Sequence, residues 1–369
     1  MVLPVRPRRL HLPLLVGVLL AAVVPGGAVA APASPATTVC RVTDGRLDEI
    51  SGLVATDDGF VAVNDGSDEE SHRRIFFLDG GCAVTRAVRY PSRPRDTEDL
   101  AVTADGTVWV ADIGDNDRTR DTIAVWTLRP GQRRPVLHRM SYPDGPHDAE
   151  ALLVTGDGRP LVVTKQVGGA GLYAPATPPR PGRTVPLSRV GEVRLPATTT
   201  GNPYGFLGRR LVTGAATAPD RRRVVLRSYA DAFEYDVPDG DVLAALTNGT
   251  PRVVPLPDEP QGEAVTYSRD GRFLLTVSET TDAPPGTRPA VLRYPLPSAD
   301  APPVAKETVA PPVRRPSGTP SASTAGPDVV PAPELGRKAG AAPVGVGLVG
   351  IGVAVLVLLG LLRSRRRRG

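Results

Sequence analysis

The sequence predicts an all-β fold in which one four-stranded unit recurs and closes on itself. Three observations carry that expectation. A short phrase returns five times: a small or acidic leading residue, an apolar run, an Asp at the head of a turn, and a second apolar run ending in polar residues. The copies start at Ser51, Glu98, Glu150, Thr213 and Glu263, and their turn residues Asp58, Asp105, Asp157, Asp220 and Asp270 are spaced 47, 52, 63 and 50 residues apart. A period of that size marks one supersecondary unit arrayed around an axis or along a line. The turn is Asp-Gly, or Asp-Arg in the fourth copy, between runs rich in Val, Leu, Ala and Thr, a strong hairpin signal.

Further strand-like text follows the hairpins: RRIFFLDGGCAVTRAVRYP after the first, TIAVWTLRPGQRRPVLHRMSYP after the second and DAFEYDVPDGDVLAALTNGTPRVVPLP after the fourth. Four short antiparallel strands per repeat of about fifty residues is the blade pattern of a β-propeller. The fifth copy ends at RPAVLRYPLP without a fourth strand, and TTVCRVTD, residues 37–44, precedes the first copy as a strand without a repeat. The two halves predict that the N-terminal strand completes the last blade and removes the edges of an open array. Five blades are expected, with six as the alternative, because the 63-residue interval has room for a degenerate extra unit.

The ends read as targeting segments. Arg6, Arg8 and Arg9, an apolar stretch from Leu12 to Val24 and the small-x-small run Ala28-Val29-Ala30 predict a signal peptide over residues 1–30. Residues 344–362 carry no charge; at about 1.5 Å per residue they are long enough for a transmembrane helix. The arginine-rich tail 363–369 then predicts a cytoplasmic end and an extracellular body, a single-pass arrangement in the cell membrane. Between body and span, residues 299–343 are dense in Pro, Ala, Ser and Thr and lack the apolar content to fold, which predicts a disordered stalk. The body is thus 31–298.

The formal net charge of +5 belongs to these ends. The body sums to about −4 and is mildly acidic, which argues against a nucleic-acid partner. Its two cysteines, Cys40 and Cys82, predict one disulfide in an exported protein and are too few for a structural zinc site.

A hairpin sets the start of its first strand beside the end of its second. With a two-residue turn at Asp157 and Gly158, Glu150 falls opposite Lys165; similar registers place Glu98 beside Asp112, Glu263 beside Glu279, Thr213 near Arg227 and Ser51 beside Asp65. Were these the inner strands of a ring, Asn64, Asp65, Asp112, Asp115, Asn116, Lys165, Arg227 and Glu279 would gather at one mouth as ligand-binding residues, with Glu98, Asp112 and Glu263 as candidate ligands of a divalent cation such as calcium. Crowded carboxylates raise one another's pKa or bind a hard cation. The repetition of the leading Glu equally fits a structural role within each blade. Lys165 is the body's single lysine among many arginines, and a desolvated lysine can lose its proton where arginine cannot; a salt bridge to Glu150 is the plainer reading. DIGDN, residues 112–116, lacks calcium helix-loop-helix spacing and equally fits an Asx turn.

No HExxH motif occurs, the body's histidines are His72, His138 and His147, and no Gly-x-Ser-x-Gly elbow is present in it. The hairpins, above all TEDLAVTADGTVWVADIGDN, resemble the blade openings of exported bacterial, actinobacterial-type β-propellers in the phytase-like and lactonase-like group. The resemblance covers residues 40–298 and implies architecture first. A phytase-like member would bring calcium, but the dense acidic ligand sets of that group have no residue-by-residue match here. The expected function is a surface-displayed propeller that binds an envelope protein or small anionic ligand at its mouth. The alternatives are a metal-dependent hydrolase of phosphoesters or lactones, with Lys165 and Arg227 neutralising substrate oxygens, and a structural envelope component.

Overall fold

The computed structural model describes residues 35–257 and 259–296. The expected signal peptide, stalk, span and basic tail lie outside the described residues, and no helix among those described is long and apolar enough to cross a membrane.

The chain opens with β1 (Thr37–Arg41) and then runs through successive antiparallel meanders. The first is β2 (Ile50–Thr56), β3 (Gly59–Asn64), β4 (Arg74–Leu78) and β5 (Val84–Arg89); the second is β6 (Thr97–Val102), β7 (Val108–Asp112), β8 (Ile123–Leu128) and β9 (Val136–Ser141). The third holds β10 (Ala149–Val154), β11 (Pro160–Thr164), β12 (Ala170–Pro175) and β13 (Thr184–Val193), and leads through α1 (Gly205–Gly208) to the fourth. That one is β14 (Val212–Thr217), β15 (Arg223–Ser228), β16 (Asp231–Asp236), α2 (Val242–Asn248) and β17 (Arg252–Pro255). The last contains β18 (Gln261–Tyr267), β19 (Phe273–Glu279) and β20 (Ala290–Pro295), and β1 supplies its fourth strand by pairing antiparallel with β20 (Thr38 opposite Leu292, Arg41 opposite Ala290).

Among the described residues the hydrogen-bonded sheets number four, three of four strands and one of eight, where five separate blades were expected. The difference arises at one place. The long β13 lies parallel to β9 over Thr184–Pro186 and fuses the second and third meanders. No sixth meander fills the 63-residue interval, which holds β12, β13 and the loop with α1.

The apolar core is divided among the joints between neighbouring meanders. Val63, Ile75, Leu100, Val110 and Trp126 pack the first against the second; Val125, Met140, Leu152 and Tyr173 pack the second against the third. Leu153, Leu172, Leu226 and Phe233 join the third to the fourth, and Val225, Val254, Val265 and Tyr267 join the fourth to the fifth. Ile50, Phe60 and Phe76 meet Ala264, Val277 and Val291, so the last meander packs on the first. The leading strands β2, β6, β10, β14 and β18 touch in cyclic order, β18 against β2. This is a propeller-like ring. Each joint hides the apolar faces of two strongly twisted sheets, which neither could bury alone.

The Cys40–Cys82 disulfide ties β1 to the β4–β5 turn and so bridges the last meander and the first. The repeated turn aspartates prove local: the carboxylates of Asp105, Asp220 and Asp270 accept the backbone N–H two residues on, as Asx turns do. In all five hairpins the following residue has a positive φ: Gly59, Gly106, Gly158 and Gly271 at 138°, 77°, 77° and 67°, and Arg221 at 58° in the fourth.

Candidate functional site: an acidic mouth

Every leading hairpin carries the same irregularity. The register slips between Ile50 and Gly52, Thr97 and Asp99, Ala149 and Ala151, Val212 and Gly214, and Gly262 and Ala264. The residue in each slip is the leading residue of the repeat: Ser51, Glu98, Glu150, Thr213 and Glu263. A β-bulge leaves one residue out of the ladder and re-aims its side chain. At two positions that side chain is a hydroxyl that fastens one meander to the next, Ser51 Oγ donating to Thr97 O and Thr213 Oγ1 to Gly262 O, both at 3.0 Å. At the other three it is a glutamate, and all three turn to a common centre. Glu98 lies in the field of Asp65, Asp96, Glu150 and Glu263.

The densest part of the centre is Asp65, Asp96 and Glu98, whose ligand oxygens all lie within 4.8 Å of one another. Two glycines allow that closeness. A Cβ on Gly66 would overlap Asp96 Oδ1, and one on Gly114 would overlap Glu98 Oε1. Farther round, Lys165 Nζ donates to Glu150 Oε1 and lies 5.2 Å from the Tyr229 ring. Gln261 Nε2 donates to Glu263 Oε1 at 3.1 Å and to Glu279 Oε2 at 2.5 Å. Glu150 Oε2 and Glu279 Oε1 are buried and accept no hydrogen bond. A loop strap crosses this side: Thr198 and Thr200 donate to the Asp231 carboxylate, the Tyr204 ring lies tilted with its centre 4.4 Å from that of Tyr229, and Tyr204 Oη donates to Gln261 Oε1.

Burial drives the electrostatics. It pushes the carboxyls of Asp96, Glu98 and Glu279 well above the ordinary carboxylate range, and their acidic neighbours push the same way. Burial alone would lower the Lys165 pKa, but Glu150, then Tyr229, Asp148 and Glu263, outweigh it and hold the ammonium charged. Lys165 is therefore a fixed cation here, not the free base that its isolation in the sequence allowed.

Asp99 closes the ring beneath these groups. Its side chain leaves β6 and accepts the N–H groups of Leu152 on β10 and Ala215 on β14, at 2.8 and 3.1 Å, besides that of Leu100. This link from the second meander to the fourth joins leading strands that are not neighbours in the ring.

Of the expected site residues, Asp65, Lys165 and Glu279 meet here with Glu98 and Glu263. The others are engaged elsewhere. Arg227 is fully buried between the fourth and fifth meanders, donating to Glu259 Oε2 at 2.5 Å and Ala264 O at 2.7 Å. Asp112 receives Arg120, the backbone N–H of Arg95 and Asp96, and Trp126 Nε1, so both its carboxylate oxygens are occupied by these donors. Asp115 caps the backbone N–H groups of Thr119 and Arg120, and Asn116 is exposed on that loop. Asn64 is buried and donates to Arg46 O at 2.5 Å. A strand-end position does not say which way a side chain points once a bulge or loop turns it.

Asp96, Gln261 and Tyr229 were missed. Asp96 precedes the repeat, and only its two-residue distance from Glu98 hinted at a shared face. Nothing local marks Gln261 or Tyr229.

No family model and no curated protein matches the sequence. Among solved structures, the chain is similar to a gluconolactonase from Xanthomonas campestris (TM-score 0.38, 16% identity, covering 72% of this chain and 99% of that one). It is also similar to a streptogramin B lyase (0.35, 11%, 70% and 97%) and to a glutaminyl cyclase from Myxococcus xanthus (0.43, 11%, 71% and 97%). The strand pairing and the cyclic order of the leading strands define the fold; these likenesses carry nothing about its chemistry.

Proposed function

We propose that this chain is a five-bladed β-propeller, displayed outside the membrane on its stalk, whose acidic mouth holds a divalent cation and beside it an anionic group of a ligand. The observation that carries the reading is the convergence of Asp65, Asp96 and Glu98, next to buried glutamate oxygens that accept no hydrogen bond. Unpaired buried carboxylate oxygens are costly, and a hard cation relieves that cost. The donor set is all oxygen and fits calcium better than zinc. Asp65, Asp96 and Glu98 would hold the ion. Lys165, kept charged by Glu150, supplies a compact positive partner for a carboxylate or phosphate.

Hydrolysis of a phosphoester or lactone is the second reading, favoured by the Glu98 carboxyl, whose pKa burial and its acidic neighbours raise well above the ordinary range. A bound cation would polarise the oxygen of such a substrate. Metal analysis of the purified chain, with thermal melts in calcium and in chelator, tests the site; a phosphoester and lactone panel then separates binding from turnover. The expected result is a stoichiometric divalent ion, a melt raised by calcium, and loss of both in Glu98→Gln. Melts that ignore calcium and chelator alike would remove the reading.

A further inference from the structure

We infer a second binding surface on the rim: the outer edge of β5, with the cleft beside it, takes an acidic polypeptide segment as an added strand. The cleft has a volume of about 700 Å³ and is lined by residues 86–91 on one wall and 131–134 on the other. The first wall is a continuous run along the end of β5, so the cleft follows a strand backbone, the shape an extended chain needs. Among the described residues β5 ends its sheet with no strand on its outer side, as β1 and β17 also do, whereas the outer strands β9 and β13 cover each other. An open edge offers unpaired N–H and C=O groups, and a peptide that pairs with them gains main-chain hydrogen bonds while its alternate side chains meet the walls.

The chemistry of the partner follows from the charge. Arg86, Arg89, Arg133 and Arg134 line the cleft and no acidic residue does, although the body as a whole is mildly acidic. Arg89 pairs with Glu70 at the end of the strand, and the Arg86 guanidinium lies 3.7 Å from the centre of the Phe77 ring. Arg86, Arg133 and Arg134 form no ion pair among the described residues. Arginines along an edge repel a second copy of that edge, which blocks self-pairing, but they attract glutamate or aspartate set at every second position of a strand. The open edge supplies the main-chain affinity and the arginines select the partner.

The test uses the purified full chain and a fluorescent peptide of alternating Glu and Val. Binding in low salt is expected. It should weaken about tenfold or more in Arg133→Glu/Arg134→Glu, and as much when alternate peptide nitrogens are methylated, since that removes the donors of strand pairing. Both arginines lie at a turn, and an unchanged melt will confirm that the variant folds. Glu98→Gln should bind the peptide as well as the parent, which separates this surface from the mouth. Equal affinity for the methylated peptide would reduce the cleft to a general anion surface and overturn strand addition; so would the absence of peptide binding.

Discussion

Glu98, Glu150 and Glu263 hold one position in three repeats, and Ser51 and Thr213 hold it in the other two. The difference between a hydroxyl that reaches the next backbone and a carboxylate that cannot do so without burying charge decides whether the bulge serves the joint or the mouth. The pH dependence follows from the same burial. Asp96, Glu98 and Glu279 have pKa values raised above their ordinary 3.8 and 4.5, so the folded chain binds more protons than the unfolded chain just above those values. Stability is then greatest below the ordinary carboxylate range and falls as pH rises through the raised values. Denaturant unfolding in chelator should show stability decreasing as pH rises above the ordinary carboxylate range, with calcium reversing the loss most strongly at the alkaline end, where its ligands are ionised. A profile that climbs with pH in chelator would contradict this charge assignment.

At the scale of elements, the leading strands are held together as much by polar links as by apolar packing. Asp99 is the clearest case, joining β6, β10 and β14 through three backbone N–H groups. Asp99→Ala leaves those donors buried without an acceptor, at about 1–3 kcal/mol each, and should lower unfolding stability by about 3 kcal/mol or more. Asp99→Asn, which keeps an acceptor oxygen, should lose clearly less. An alanine variant with unchanged urea midpoint would show that the strands close without the plug. The hairpins themselves were legible from Asp-Gly and the alternating apolar runs, but their register was not. The third turn pairs Val154 with Pro160 and leaves a longer loop than the two residues expected, and the bulge at Glu150 then restores the side-chain contact with Lys165 by a different route.

For the whole molecule, closure is the central fact. β1 completes the sheet of β20 some 250 residues away in sequence, and Cys40–Cys82, separated by 42 residues, fastens that sheet to the first meander. Removing the cross-link by Cys40→Ser should cost about 4 kcal/mol on the chain-entropy account, read as a lower denaturant midpoint, with proteolysis beginning at β1. The repeat phrase, the incomplete fifth copy and the spare N-terminal strand disclosed this architecture, because strand periodicity and turn chemistry are local and survive in the letters. The fusion of two meanders through β9 and β13 left no such trace: parallel pairing depends on how far a long strand reaches beside its neighbour.

Local pattern along the chain specified repeated hairpins of an all-β fold, a ring completed by the first strand, one disulfide, and a set of acids near strand ends. Which of those acids face one another was fixed by the assembled ring. It put Asp96 into the cluster, took Asp112 and Arg227 out of it, and gave Lys165 a lasting charge. The physical reason is that a side chain's direction at a bulge, and the field it then feels, depend on neighbours supplied by other repeats.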